Sequence, residues 1–122
     1  MQNLDQIRAD NALIACGLQP VPAGRAPVVP VTDTGVNKLP ALIVNNGLLA
    51  AAAFADKKRD ELVAAMDAVA WHLADNRVGR LPTHRTSTRG LTEHLVASDS
   101  HTLRLAAAEA LSFLSYLKRY AQ

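Results

Sequence analysis

The stretch LRLAAAEALSFLSYLKRYAQ, Leu103 to Gln122, decides the fold class. It holds no Gly or Pro, and Leu103, Ala107, Ala110, Leu114, Leu117 and Ala121 recur at helical spacing to form an inner face. A terminus frays unless something ties it down, and this one carries enough apolar surface to dock. Lys118 and Arg119 stand in the last turn, where cations suit the negative end of the helix dipole. Asp99 or Ser100 is placed to cap the start.

Composition extends that reading to the whole chain. Ala and Leu supply 39 of the 122 residues, against 13 for Val and Ile, a balance that favours helix over sheet. The length predicts one domain over residues 1–122, burying about two-thirds of its unfolded surface without metal or disulfide. The expected architecture is all-α, a single bundle of five to six helices.

Working back from the terminus, Gly90 to Ala97 reads as a short helix and Asn76 to about Thr88 as a loop. Leu62, Met66, Val69 and Leu73 define one buried face of a helix that Asp56 is placed to cap, with Asp60 and Glu61 early in it. Trp71 falls on the opposite face. Ala41 to Phe54 reads as one apolar helix with Gly47 as its weak spot, Asp33 or Thr34 as its cap, and Pro40 in the first turn or at a kink. The run Ala50 to Ala53 permits close backbone approach, or is plain helix propensity. Residues 18–32 carry prolines at 20, 22, 27 and 30 and read as an extended linker; Val28 to Val31 has the pattern of an edge strand, against which Pro30 argues. The first helix follows Leu4, Ile7, Asn11 and Ile14 and ends at Gly17.

Several chemistries find no support. Cys16 is the single cysteine, which rules out an internal disulfide and a thiolate cluster and leaves an inert thiol in an apolar helix end. His72, His84, His94 and His101 stand in no recognised metal-ligand spacing, and Glu93 and His94, being adjacent, point apart on a helix, so no metal or cofactor is expected. Ser112 and Ser115 lie on a helix with no Gly-rich elbow before them, and no phosphate loop is present, so no enzyme is expected. The N-terminal residues 1–8 lack a signal-peptide core, and the apolar run Leu39 to Ala55 is interrupted by Asn45-Asn46-Gly47, so a cytoplasmic protein outside the membrane is expected.

A net charge of +2 does not declare a partner, but its distribution is uneven. Asn76 to Gly90 holds Arg77, Arg80, Arg85, Arg89 and His84 without an acid, and could grip a phosphate backbone; the alternative is a solvated loop. Lys57-Lys58-Arg59 lies among Asp56, Asp60 and Glu61 and reads as a solvated helix start. Trp71 is a platform for another chain or a base if its face is free, and core if α-helices cover it on two sides.

Two stretches resemble a known family. Asn37-Lys38-Leu39-Pro40-Ala41-Leu42-Ile43-Val44-Asn45-Asn46-Gly47-Leu48 is similar to the Lys-Leu-Pro…Ile…Asn-Gly-Leu signature of the small helical subunit of the type III-B (Cmr) CRISPR effector complex. Glu109-Ala110-Leu111 through Tyr116-Leu117-Lys118-Arg119-Tyr120-Ala121 resembles that family's closing pattern, with Tyr116 and Tyr120 replacing its common Trp and Phe. Asn11-Ala12-Leu13 fits the family's N-terminal helix; the Pro-rich segment and the Arg-rich loop depart from the pattern.

The resemblance implies a non-catalytic subunit in antiviral defence that stacks along a ribonucleoprotein beside other effector subunits. Copies would self-associate and line the path of a guide CRISPR RNA and its target single-stranded RNA, reading backbone and shape only. It places Lys38, Lys118 and Arg119 at family basic positions facing RNA; Arg77, Arg80 and Arg85 join them on charge alone. Trp71 and Tyr116 are the expected protein-interface residues. The rival reading is a helical protein–protein adaptor that binds no nucleic acid. A helix-turn-helix regulator would need a more polar recognition helix than any here.

Overall fold

Local signals start most of the helices. Asn3 and Gln6 form a reciprocal capping box at the start of α1, Leu4–Ala15. The Thr32 hydroxyl faces the Gly35 amide at the start of α2, Asp33–Asn46, so the cap stands one residue before the expected pair. α3 spans Leu48–Lys58. The Asp60 carboxylate accepts from the Leu62 amide at 2.9 Å and opens α4, Glu61–Leu73. Ser87 caps α5, Thr88–Val96, and Asp99 caps α6, Ser100–Tyr120. The structure, a computed structural model, describes residues 2–122; Met1, the first residue of the expected domain, lies outside them. Among the described residues the chain is a single all-α domain of six helices, without a strand.

α4 is the hub, packing against each of the other five helices. Its sequence is apolar nearly all round, as a fully buried helix must be. Leu62, Met66, Val69 and Leu73 are buried as expected, but so are Ala65, Ala68, Ala70, Trp71 and His72. α6 docks along α1, α2 and α4. Its buried face is Ala106, Glu109, Ala110, Phe113, Leu114 and Leu117, rotated from the expected stripe, so that Leu103, Ala107 and Ala121 are only half-buried.

Two expected boundaries are corrected. Ala41 to Phe54 is two helices, because Gly47 takes φ 89° and ψ 161°, closing α2 and opening α3 in a conformation that side chains exclude. Pro40 lies inside α2, which excludes the first-turn position, one of the two expected for it. Asp56 belongs to the end of α3, which Arg59 stops in the left-handed region, and Lys57 and Lys58 therefore finish a helix instead of starting one. The Ala run supplies close packing through Ala51 and Ala52, with Ala50 and Ala53 outside. Gly35 is a second close approach: a Cβ there would run into the Glu61 carbonyl, so α2 and α4 cross backbone to backbone at this end.

The Pro-rich segment is irregular, as expected, yet it is pinned to the bundle. The Val31 amide donates to the Ala15 carbonyl at 3.0 Å, and Val31 is buried. The Trp71 indole N–H donates to the Ala26 carbonyl at 2.8 Å. The Arg25 guanidinium stacks 3.5 Å from the Trp71 ring centroid.

Candidate nucleic-acid interface

A polar network runs through the centre of the bundle, and it determines which cations remain available. α6 places Glu109 on its buried face, where its carboxylate accepts from Arg8 Nε and Nη2 at 2.8 and 2.7 Å. This fork is the bidentate geometry that makes an Arg–carboxylate pair strong. Glu109 also accepts from His72 Nε2 at 2.9 Å. The other ring nitrogen, Nδ1, accepts from Asn11 Nδ2 at 2.9 Å, and the same amide donates to Asp75 Oδ2 at 3.0 Å. Asn11 Oδ1 in turn accepts from Arg25 at 2.8 Å. The His72 ring stacks on Phe113 with centroids 4.0 Å apart.

These contacts set the protonation states. Burial pushes the His72 ring toward its neutral form, against the pull of Glu109. One N–H toward Glu109 and one lone pair toward Asn11 is the tautomer the network accommodates. Burial would raise the Glu109 carboxyl, but the hydrogen bonds from Arg8 and His72 outweigh it and bring it to about 2. Asp75 follows the same logic: burial is overcome by hydrogen bonds from the Arg77 side chain and amide and from Asn11, holding it well below the usual carboxylate range. Burial pushes the Cys16 thiol up to about 11, in keeping with an inert role.

The Arg-rich loop is therefore not unopposed, because the acids that neutralise it come from outside the loop. Arg77 Nη2 lies 2.7 Å from Asp75 and 3.6 Å from Asp10, and Nη1 donates to Gln2 at 2.8 Å. Arg85 pairs with Glu93 at 2.7 Å, and Arg89 with Asp56 at 2.9 Å. Arg80 forms no ion pair among the described residues, and neither do Lys38, Lys118 and Arg119, the last three all exposed. Lys57 and Lys58 are likewise exposed and without an acid partner.

The six expected RNA-facing residues do not form one patch. Lys38 lies beside Asp60 and Leu62, at the N-terminal end of α4. Lys118 and Arg119 end α6 at that same side, where the Asp33 amide donates to the Gln122 carbonyl at 3.2 Å. Arg77, Arg80 and Arg85 follow the C-terminus of α4, a helix about 20 Å long at 1.5 Å per residue.

The interface candidates separate as well. Trp71 is 1% exposed, enclosed by the Pro-rich segment, and is corrected to core: the segment covers the face that the sequence left open. Tyr116 is half-buried with the Arg119 guanidinium 5.5 Å from its ring centroid.

Sequence reasoning missed Arg8, Asn11, Arg25, His72, Asp75 and Glu109 as a connected set. One signal was present: Glu109 is a carboxylate inside an apolar stripe with Ala106, Ala110 and Phe113 at helical spacing, and such a charge needs a buried partner. No cluster of three metal-ligating side chains occurs among the described residues. No helix among them is long and apolar enough to cross a membrane.

A family model described as CRISPR-associated protein (Cas_Cmr5) matches residues 33–122, which comprise α2 to α6 and leave α1 and the Pro-rich segment outside the match. No curated protein and no solved structure matches the chain.

Proposed function

The chain belongs to the CRISPR-associated Cmr5 family, the small subunits of type III-B CRISPR complexes, and from that premise we propose that it holds RNA by its backbone inside the assembly and performs no chemistry itself. As a Cmr subunit it works alongside other subunits of that complex. The guide CRISPR RNA and the target single-stranded RNA are its nucleic-acid partners, and further copies of the chain its neighbours along them.

The observation that carries the RNA reading is the division among its cations. Lys38, Arg80, Lys118 and Arg119 are free of carboxylates, whereas Arg8, Arg25 and Arg77 are consumed by the central network. Unpaired surface cations release phosphate counterions on binding at no cost in broken ion pairs. Arg77 and Arg85 are paired with acids and serve the fold first. The non-catalytic reading is supported by the enclosure of the one His–carboxylate contact among the described residues: His72 is fully buried with both ring nitrogens engaged.

The test is salt-dependent retention of labelled target RNA by the complex assembled around this chain. Reversing Lys38, Lys118 and Arg119 together to Glu is expected to preserve incorporation and to flatten the dependence of log K on log salt by about 2, at roughly 0.7 per lost single-strand phosphate contact. Unchanged RNA retention with normal incorporation returns the chain to the adaptor reading.

A further inference from the structure

Outside the central network, one concave surface combines free cations with an exposed aromatic ring. It is an open groove of about 470 Å³ between α2 and α3. Lys38, Leu42 and Asn45 form one wall, Phe54 and Lys58 the other, and Leu62 lies at the floor. Phe54 is 42% exposed, an unusual state for the largest apolar side chain of its helix. The Lys58 ammonium sits 5.7 Å from the Phe54 ring centroid, a cation over a π face at i, i+4 spacing. The Asn45 amide is exposed and without a hydrogen-bond partner among the described residues, offering a donor and an acceptor. One acid borders the groove, Asp60, and its Oδ1 is committed to the Leu62 amide that starts α4.

We propose that this groove receives one unpaired nucleotide of the RNA strand, its base stacked on Phe54 over the Leu42–Leu62 floor and its phosphate between Lys38 and Lys58. The proposal rests on the RNA reading above and deepens it from backbone contact to base contact. The charge argues for this occupant over an apolar helix of a neighbour: two lysines flank the ring, and Lys57 adds a third cation just beyond. An aromatic ring with adjacent cations is the arrangement on which single-stranded bases stack without regard to sequence. The volume lies within the range of small-ligand pockets, which suits one nucleotide and excludes a duplex. A paired base has no free face to offer Phe54, so the groove discriminates single-stranded from paired RNA.

The experiment uses the assembled complex and a target RNA carrying 4-thiouridine at successive positions. Irradiation joins the thiobase to whatever side chain it touches, and digestion with trypsin followed by mass spectrometry locates the joint. The expected product is a crosslink within the peptide 39–57, which carries both walls of the groove. Phe54→Ala is expected to lower that yield roughly tenfold, at the stacking strength of one base. Since Phe54 is partly exposed, the variant is expected to fold, with circular dichroism as the check.

Crosslinks confined to residues 77–89 or 118–119, unchanged in Phe54→Ala, overturn the groove and leave the RNA reading standing. Absence of every crosslink, with no RNA retained, overturns both. Loss of a partner subunit from the Phe54→Ala complex, with RNA crosslinks elsewhere unaltered, makes the groove a protein contact and overturns the proposal.

Discussion

His72 and Glu109 show how a buried pair sets the pH response of this molecule. In the folded chain the His72 ring is pushed below its ordinary 6.5, so between the two values the unfolded chain holds a proton that the folded chain lacks. Acid therefore favours unfolding, and this contribution is complete above pH 6.5 and is lost as pH falls below it. Glu109, at about 2 against an ordinary 4.5, adds a second loss between those two values. The urea midpoint is expected to be flat above pH 7 and to fall in two stages on acidification. His72→Gln is expected to lower the midpoint at pH 7 and to abolish the first stage only, which equilibrium unfolding at successive pH values reads directly. A single-stage profile in the parent chain would contradict this assignment.

At the scale of elements, the joint between α2 and α3 is set by backbone conformation. Gly47 takes a backbone conformation that residues with a side chain avoid, and it joins two helices whose walls form the Phe54 groove. Gly47→Ala is expected to cost about 1–3 kcal/mol in urea unfolding at unchanged helix content, because the strain falls on one residue and leaves both helices intact. A cost near zero would mean that the chain continues as a single helix there, as its apolar pattern suggests. The Pro-rich segment teaches the opposite lesson about elements. It has no regular structure, yet Arg25 stacks on Trp71, bonds Asn11 and lies 3.4 Å from Asp75, which ties residues 18–32 to α1 and α4.

For the whole molecule, a net charge of +2 conceals two populations of cations. One population holds the fold and the other faces solvent, and charge reversal is expected to separate them. Arg77→Glu places a carboxylate against Asp75 and Asp10, and should lower stability by about 2 kcal/mol, within the usual range for breaking a partly buried network. Lys118→Glu with Arg119→Glu should leave the thermal midpoint within a few degrees, apart from the small dipole term at the end of α6. Differential scanning calorimetry of the two variants makes the comparison. If Arg77→Glu proves neutral, the arginine belongs with the solvent-facing group.

The sequence alone determined the all-α class, the start of the last helix and the family resemblance, because these depend on interactions over a few residues. The Asp99 carboxylate reaches the Thr102 amide three positions on, and such a bond is written into local order. The apolar stripe of α4 was legible for the same reason. It was the tertiary structure that decided which arginines are free, that Trp71 is core, and that Arg8, Asn11, His72 and Glu109 meet. Those partners stand 61 and 101 residues apart in the chain, Asn11 from His72 and Arg8 from Glu109. A long-range pair depends on how whole helices pack, and packing is settled by the sum of many buried surfaces that no local pattern records.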